Sequence, residues 1–285
     1  MQLVDTYDSL PRPLAGAVVV LGNFDGVHLG HAGVIQAARQ MADEMTTKVV
    51  VLTFEPHPRS VFAPQLPPFR LTPKAAKARF LAKIGVAGCV AQKFDSEFSK
   101  HSAEDFVRNV LIRGLQLRHL VVGADFRFGK GREGDVAYLQ SNADRFGFMT
   151  SCIEPVLDPQ GVAYSSTRVR EALSEGDVET AASILGRPFQ IEGTVVQGDQ
   201  RGRTIGFPTA NIPLGEYIRP KLGVYAVRAE MPDGKMISGV ANIGKRPTVN
   251  GLDERLEVHL FDFAGDIYGK NLNIHLQRFI RPEQK

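Results

Sequence analysis

The sequence has little of what marks secreted, membrane-spanning or nucleic-acid-binding proteins. Two cysteines occur among 285 residues, Cys89 and Cys152, without the paired spacing of metal-binding motifs. This usage is typical of a reducing compartment and does not favour a disulfide. The N-terminus carries no long apolar run, so neither a signal peptide nor a membrane span is predicted, and we expect a cytoplasmic protein. A net charge of +3 is too small to indicate a nucleic-acid partner, and we expect none.

The length and the ordinary composition, 43% hydrophobic and 23% charged, predict a globular protein of two domains without internal repeats. Up to residue 186, apolar runs alternate with segments of helical periodicity, which favours a parallel, doubly wound α/β sheet. The predicted strands cover 18–21, 48–54, 86–90, 119–122 and 148–156. The predicted helices begin at 29 and cover 73–84, 102–113, 135–146, 167–174 and 177–185.

The pattern changes near Gly186-Arg187-Pro188, where extended runs with turn signals replace the helical periodicity. These runs cover 189–197, 223–231, 236–243, 254–262 and 271–280. A compact antiparallel β domain, most simply a barrel, is predicted. We therefore predict one domain over residues 1–186 and a second over residues 187–285.

The stretch VVVLGNFDGVHLGH, Val18 to His31, joins a buried strand to a helix through a glycine-rich turn. His28 and His31 stand three residues apart at the helix start and so lie on one face. A helix N-terminus favours negative charge through its unpaired N–H groups and its dipole. Because Gly30 lets a ligand approach the backbone closely, we interpret the stretch as a nucleotide phosphate site. The alternative is a pair of surface histidines.

Two glycine-rich segments match nucleotide-binding patterns only superficially. Residues 129–134 satisfy GxGxxG, and Glu154 follows at about the distance of a ribose-binding acid, but residues 124–128 separate the predicted strand from the first glycine. Residues 239–245, GVANIGK, resemble a phosphate loop, yet Arg246 stands where Ser or Thr is required. An NAD-dependent oxidoreductase, which rests on the first match alone, is therefore a weak alternative.

Two further segments of the α/β part suit anionic ligands. GADFRFG, residues 123–129, ends a predicted parallel strand, where open α/β sheets place ligands. Its phenylalanines suit stacking on a planar ring and Arg127 suits a phosphate, with ordinary packing as the alternative. YSSTRVR, residues 164–170, is a hydroxyl-rich helix start with Arg168 beside it, which indicates a second anion site or an ordinary N-cap.

The β domain carries two polar segments of its own. In GDQRGRTIGFPTAN, residues 198–211, a basic glycine-rich loop precedes Thr209 and Asn211, whose oxygens suit Mg²⁺ and nucleotide phosphates. Further on, Leu256, Val258 and Leu260 alternate with Glu257, His259 and Phe261. If the aliphatic set faces the core, Glu257 faces the open side as a candidate base. A solvent-facing glutamate is the alternative.

Six motifs in this order resemble those of the prokaryotic bifunctional riboflavin kinase/FMN adenylyltransferases, also called FAD synthetases, over nearly the whole chain. GNFDGVHLGH (22–31), TFEPHP (53–58), GADFRFG (123–129) and SSTRVR (165–170) are similar to the adenylyltransferase motifs. RGRTIGFPTAN (201–211) and LEVHLFDFAGDIYG (256–269) are similar to the kinase motifs. The resemblance implies a Rossmann-like nucleotidyltransferase domain followed by a six-stranded antiparallel flavokinase barrel. It implies two reactions, phosphorylation of riboflavin by ATP to FMN and adenylylation of FMN by ATP to FAD and pyrophosphate.

The resemblance also implies site residues. ATP of the adenylyltransferase would be bound by Gly22, Asn23, Phe24, Asp25, Gly26, His28, His31, Ser165, Ser166, Thr167 and Arg168. The flavin of that reaction would be bound by Asp125, Phe126, Arg127 and Phe128. The kinase substrates would be bound by Gly202, Arg203, Thr204, Gly206, Phe207, Pro208, Thr209, Asn211 and Glu257. Thr209 and Asn211 would hold Mg²⁺ and Glu257 would act as base, while His28, His31 and Arg168 would stabilise charge on the triphosphate.

Further expectations concern the assembly and the end of the chain. We expect a monomer or a weak homo-oligomer. The family continues past the Arg281-Pro282-Glu283 segment with a C-terminal helix, which we expect this chain to lack. Two other functions compete with the bifunctional one, a monofunctional enzyme with one decayed module and a flavin- or nucleotide-binding regulatory protein without turnover. Neither motif set looks decayed, and a binding protein needs neither the histidine pair nor Glu257.

Overall fold

In the computed structural model, which describes residues 1–197, 209–248 and 251–283, the chain forms two compact units. The first unit consists of Met1–Leu66 and Lys74–Tyr164, and the second of Pro67–Pro73 and Ser165–Lys285. Among the described residues, no helix is long and apolar enough to cross a bilayer.

The first unit is a parallel sheet with helices. Its strands are β1 (Gln2–Val4), β2 (Val18–Leu21), β3 (Val49–Glu55), β4 (Gly88–Lys93), β5 (His119–Gly123) and β6 (Met149–Ile153). They pair in the order β1-β4-β3-β2-β5-β6, and every pair is parallel. Its helices are α1 (Leu29–Glu44), α2 (Pro58–Phe62), α3 (Lys74–Lys83), α4 (Ala103–Asp105) with a π-helical continuation (Phe106–Gly114), and α5 (Val136–Phe146). The predicted α/β architecture is confirmed.

Helices cover both faces of this sheet, which explains why its central strands are apolar without alternation. Val18 and Val20 of β2 are buried in a cluster that includes residues of α1. Val19 and Leu21 are buried in a second cluster that includes residues of the π-helical segment. A strand buried on both sides therefore accounts for the continuous VVVL run.

In the first unit, one predicted strand ends too late, and one predicted helix has the expected bounds but a different type over most of its length. The strand predicted over 148–156 ends at Ile153, because the chain leaves the sheet at Glu154-Pro155 and proline has no N–H for a ladder. Val156 instead accepts a hydrogen bond from the N–H of Tyr164 at 3.0 Å, which closes a small hairpin. The helix predicted over 102–113 is α-helical only at its start, and apolar spacing did not reveal its π-helical continuation.

The second unit begins with two short helices and continues as a nearly closed barrel. The helices are α6 (Ser166–Glu175) and α7 (Val178–Leu185). The strands are β7 (Gln190–Thr194), β8 (Ala210–Pro213), β9 (Gly223–Glu230), β10 (Met236–Thr248), β11 (Gly251–Leu260) and β12 (Asn271–Pro282). They pair antiparallel in the order β7-β12-β9-β10-β11-β8. Val196 N–H donates to the Asn211 carbonyl at 2.9 Å and so joins the two edges, which confirms the predicted barrel.

Gly223 allows the backbones of β9 and β12 to lie close together, so its replacement is expected to lower the free energy of unfolding. It has a φ of +149°, and a Cβ there would lie 2.4 Å from the carbonyl oxygen of Arg281. Gly234 also has a positive φ, +82°, but open space surrounds the position of its Cβ. Alanine at either position adds backbone strain of about 1–3 kcal/mol, because both φ values lie in regions that residues other than glycine rarely adopt. We expect Gly223→Ala to cost a further 1–3 kcal/mol, roughly, because it also overpacks the strand pair.

The measurement is urea unfolding of both variants, followed by far-UV circular dichroism. A lower midpoint for Gly223→Ala than for Gly234→Ala is the expected result. Equal midpoints would show that β9 and β12 separate without cost, contrary to the overlap.

Candidate active sites

The turns that follow β2, β3 and β5 meet at the carboxyl edge of the first unit's sheet. β2 lies between β3 and β5, so the strand order reverses at its end. Open α/β sheets bind ligands at such a switch point. Residues 22–27 follow β2, residues 56–58 follow β3 and residues 124–128 follow β5. The structure thus brings three of the predicted motifs to one edge.

The turn between β2 and α1 has an unusual backbone. Phe24, Gly26 and Val27 have φ values of +50°, +91° and +42°. For a β-branched residue such as Val27 this conformation is strained, and such strain persists where the surrounding structure fixes it, commonly at functional sites. Phe24 and Val27 are buried in the core cluster beside β2, which holds the turn in this form.

His28 and His31 form a reciprocal cap at the N-terminus of α1. The N–H of His31 donates to Nδ1 of His28, and the N–H of His28 donates to Nδ1 of His31, both at 3.3 Å. The imidazoles are stacked, with their centroids 3.6 Å apart. Because Nδ1 of each neutral ring accepts, the ring proton is carried on Nε2, which is a donor. Two imidazole donors at a helix N-terminus favour a phosphate.

Gly30 is required by the packing of the histidine pair. A Cβ at this position would lie 3.0 Å from both Cε1 and Nδ1 of His28, and 3.1 Å from Cβ of Tyr164. A side chain would therefore displace the His28 imidazole that caps the helix. This contact explains the glycine in the HLGH sequence, and its role in ligand access stays a prediction.

The phenylalanines of the predicted flavin segment differ in burial. Phe128 is 7% exposed and packs against Phe106 and Tyr138, with ring centroids 5.3 and 5.9 Å apart. Phe126 is half-buried and stacks on Phe128 at 5.7 Å. Phe128 thus has a clear packing role, and Phe126 is the more accessible ring of the two.

The polar residues of the same segment are exposed. Arg127 forms an ion pair with Asp135 at 3.1 Å, and the Asp135 carboxylate also caps α5. Asp125 is exposed just beyond the end of β5. An anion that binds Arg127 would have to compete with this carboxylate.

The SSTR segment belongs to the second unit, where Ser165 is the N-cap of α6. Its hydroxyl accepts from the N–H of Arg168 at 3.2 Å. Ser166 and Arg168 are half-buried and Thr167 is exposed. The alternative, an ordinary N-cap, is observed, and the anion site with its joint action with His28 and His31 stays a prediction.

In the barrel, the cross-strand register places Asn211, Glu257 and Asn242 in one row. Glu257 of β11 pairs with Asn211 of β8 on one side and with Asn242 of β10 on the other. Directly paired residues share a face of the sheet. Leu256 and Val258 are fully buried, and Glu257 is half-buried, which confirms the predicted alternation.

A cavity of about 180 Å³ lies beside this row, lined by Asn242, Gly244, Arg255, Glu257 and Glu283. Asn211 is only 5% exposed, so its amide is held in a nearly dry position. Thr209 is half-buried directly before β8. The predicted kinase residues Gly202, Arg203, Thr204, Gly206, Phe207 and Pro208 lie outside the described residues, and their roles stay predictions.

The two superficial glycine-rich matches have other structures. Residues 239–245 lie inside β10 and pair with β9 and β11, so their backbone serves the sheet. Residues 129–134 form a turn closed by the Phe128–Gly134 pair, away from the end of β5 at Gly123. Neither segment is a phosphate loop at a strand end.

Comparison with known proteins assigns each part of the chain. The family model for FAD synthetase matches residues 11–168, and the one for riboflavin kinase matches residues 185–285. The bifunctional riboflavin kinase/FMN adenylyltransferase of Escherichia coli (strain K12) is 44% identical over 286 residues, which cover 100% of this chain and 91% of that protein. The chain belongs to this bifunctional family.

Other relatives agree with this assignment. The Haemophilus influenzae protein with the same name is 43% identical, over 100% of this chain and 92% of its own length. A crystal structure from Streptococcus pneumoniae, described as a macrolide-efflux protein, has a TM-score of 0.87 at 33% identity and covers 99% of this chain and 91% of that one. That likeness shows a shared fold.

The chain is therefore an ATP-dependent transferase with two activities. It phosphorylates riboflavin to FMN and adenylylates FMN to FAD, with pyrophosphate as the second product. Riboflavin, FMN, FAD and ATP are its substrates and products.

Lys77 and Asn242 were missed from the sequence, and Thr53 was noted only as part of the TFEPHP motif. Thr53 and Lys77 are buried in the first unit, and Asn242 lies in the row with Glu257. Lys77 had a usable signal, because it stands on an otherwise apolar helix face with Ala76 and Phe80. Asn242 had none, because only the strand register reveals its neighbour.

Proposed function

We propose that the two reactions take place at two separate sites. Adenylyl transfer is assigned to the carboxyl edge of the first unit's sheet, and riboflavin phosphorylation to the Glu257 side of the barrel. The stacked His28–His31 pair carries this proposal, because it joins a strained turn, a switch point and two donors at a helix N-terminus. Gly22, Asn23, Asp25 and Gly26 of the same turn are assigned to ATP.

In adenylyl transfer, a phosphate oxygen of FMN attacks the α-phosphorus of ATP, and the bond to the β,γ-diphosphate breaks. The nucleophile is already an anion, so no base is required. The obstacle is repulsion between two polyanions. The Nε2 donors of His28 and His31 and the α1 N-terminus stabilise charge as it develops on the triphosphate. We assign the Arg168 guanidinium and the hydroxyls of Ser165, Ser166 and Thr167 to the same ATP.

The flavin of this reaction is assigned to Asp125, Phe126, Arg127 and Phe128. The half-buried Phe126 supports a stacking role, whereas Phe128 acts as its support from the core. Arg127 is held by Asp135 and would meet the FMN phosphate by exchanging partners.

In the kinase reaction, the 5′-hydroxyl of riboflavin attacks the γ-phosphorus of ATP. An alcohol is a far weaker acid than a carboxylic acid, so Glu257 takes the proton late, as the bond to phosphorus forms. The carboxylate orients the hydroxyl before then. Its half-buried position beside a cavity supports this assignment, with Thr209 and Asn211 assigned to the ATP phosphates.

The donor set beside Glu257 fits Mg²⁺. Thr209 and Asn211 offer a hydroxyl and an amide oxygen, hard donors that Mg²⁺ accepts. Among the described residues no cluster of three or more His, Cys, Asp or Glu forms a cage. This composition suits an ion held largely by substrate phosphates, which is the usual mode for Mg²⁺. When bound, the ion neutralises phosphate charge.

We also propose a boundary between the two functional domains at residues 186 and 187, beside the start of the riboflavin kinase match at 185. Two cysteines without metal spacing, together with ATP as substrate, support a cytoplasmic location. A monomer or weak homo-oligomer without a nucleic-acid partner is proposed on the small net charge.

The direct test is a product assay. Incubation with riboflavin, Mg²⁺ and ATP, followed by chromatography of the flavins, should give both FMN and FAD, and addition of EDTA should stop both. Incubation with FMN and ATP should give FAD without riboflavin. FMN as the sole product, with no conversion of added FMN, would leave a monofunctional kinase. FMN formation from riboflavin that persists in EDTA would contradict the metal assignment beside Glu257.

A further inference from the structure

Lys77 is an unusual residue of the first unit, because its charged side chain is almost fully buried. The side chain is 2% exposed on the inner face of α3. Lysine is almost never buried to this degree unless it is paired. Hydrogen bonds and an ion pair must therefore offset the free energy that the ammonium loses when it leaves water.

Two groups of β3 bind the Lys77 ammonium. Nζ lies 2.8 Å from Oε1 of Glu55, whose side chain is 12% exposed. Nζ also donates to Oγ1 of Thr53 at 3.0 Å, and Thr53 is 1% exposed. Since Glu55 and Thr53 lie two residues apart at the end of one strand, the ammonium fixes the carboxyl end of β3.

The chain of hydrogen bonds continues into the proposed adenylyl-transfer turn. The Thr53 hydroxyl, which accepts from Lys77, donates its own proton to the carbonyl of Asn23 at 3.0 Å. Asn23 directly precedes Phe24, whose φ is +50°. This bond ties the strained turn to β3 five residues before the His28 cap.

The nearby thiol of Cys89 indicates how dry this region is. Burial raises the pKa of Cys89 to about 11, while the charge of Lys77 lowers it and that of Glu55 raises it. The thiol is neutral at physiological pH, so it does not take the role of counter-ion. In such surroundings a hydrogen bond to an ammonium is strong and directional.

We propose that Lys77 and Thr53 are positioning residues for FMN adenylylation, acting through the Asn23 carbonyl to hold the turn that presents His28 and His31. The inference rests on the proposed site at residues 22–31. Lys77 touches no substrate in this proposal. Its ammonium polarises the Thr53 hydroxyl and so strengthens the bond to Asn23.

The experiment uses the intact chain and compares hydroxyl loss with hydroxyl retention. Thr53→Val keeps the volume of the side chain but cannot donate, whereas Thr53→Ser keeps the hydroxyl. We expect Thr53→Val and Lys77→Met each to lower kcat for FMN adenylylation on the order of tenfold, with KM for FMN little changed. Thr53→Ser should restore most of the rate. Lys83→Met, an exposed lysine of the same helix, is the matched control.

A second readout separates positioning from loss of structure. If Lys77 acts through Thr53, the double variant Lys77→Met/Thr53→Val should be no slower than the slower single variant. Riboflavin kinase activity should stay at the wild-type level in all of them. The melting temperature of each variant is measured, and the assays are run below it, so that every variant is folded during the assay.

Thr53→Val at the wild-type kcat, or multiplicative effects in the double variant, would overturn the inference. Replacement of His28 and His31 in parallel tests the underlying site. If that replacement is silent, the proposed site fails; if it is severe while Thr53→Val is silent, only the positioning role fails.

Discussion

Replacing Glu257 with alanine is expected to lower riboflavin phosphorylation by about a hundredfold or more and to leave FMN adenylylation almost unchanged. The carboxylate lies on β11 between Asn211 and Asn242 and lines the cavity of the barrel. Its two neighbours in this row are amides, and the other carboxylate that lines the cavity, Glu283, accepts a hydrogen bond from the Asn242 amide at 3.5 Å. Alanine therefore removes both the proton acceptor and the group that orients the ribityl hydroxyl.

Glu257→Gln separates these two roles. The amide keeps the volume and can still accept a hydrogen bond, but it cannot take a proton at neutral pH. If orientation is the main task, glutamine should retain a measurable part of the rate that alanine loses. If proton acceptance is the main task, both variants should be equally slow.

The measurement is the initial rate of FMN formation from riboflavin, together with FAD formation from added FMN in the same preparation. Glu175→Gln, at an exposed position near the end of α6, serves as the control and should match the parent in both assays. Loss of both activities in Glu257→Ala would contradict separate sites. An unchanged kinase rate would exclude Glu257 as the base.

The elements predicted best are those whose local residue pattern shows which of their side chains are buried. β3 was found because VVVLTF is a continuous apolar run, the signature of a strand covered on both faces. The helix predicted over 135–146 agrees with α5, and the structure adds that the Asp135 side chain caps it. β11 was found because Leu256, Val258 and Leu260 alternate with polar residues.

The elements that were missed depend on partners far away in the sequence. Thr209 to Asn211 has the composition of a turn after a proline, yet Ala210–Pro213 is β8, because it pairs with β11. Only that pairing brings the Asn211 amide beside Glu257. Residues 22–31 were predicted to be a phosphate site from local sequence, whereas the hydrogen bonds that tie them to Thr53 and Lys77 depend on how α3 packs against β3.

For the histidine pair, local sequence predicted the positions of the side chains but not their hydrogen bonds. Spacing predicted that His28 and His31 share a face, and the structure adds that each ring caps the other's backbone. The consequence is a defined tautomer, with the proton on Nε2 of each neutral ring. Removing both rings should therefore remove two oriented donors at once.

The double variant His28→Ala/His31→Ala is expected to lower FAD formation from FMN by at least about a hundredfold, because each lost donor of this type costs on the order of 10²-fold or more. Riboflavin phosphorylation should continue, since Glu257 and its row lie in the barrel. The measurement is again the pair of initial rates, with FMN accumulating when riboflavin is supplied.

Loss of the helix cap could mimic this result, so a variant that keeps the cap is needed. Asparagine is a strong N-cap residue, and His28→Asn preserves an acceptor for the N–H of His31 while it removes the imidazole donor. If the imidazoles act on the triphosphate, His28→Asn should be nearly as slow as His28→Ala despite a higher melting temperature. His119→Gln, at the start of β5 and the opposite end from Gly123, is the control. FAD formation at the parent rate by the double variant would mean that the phosphate charge is stabilised elsewhere, and the switch point would lose its assignment.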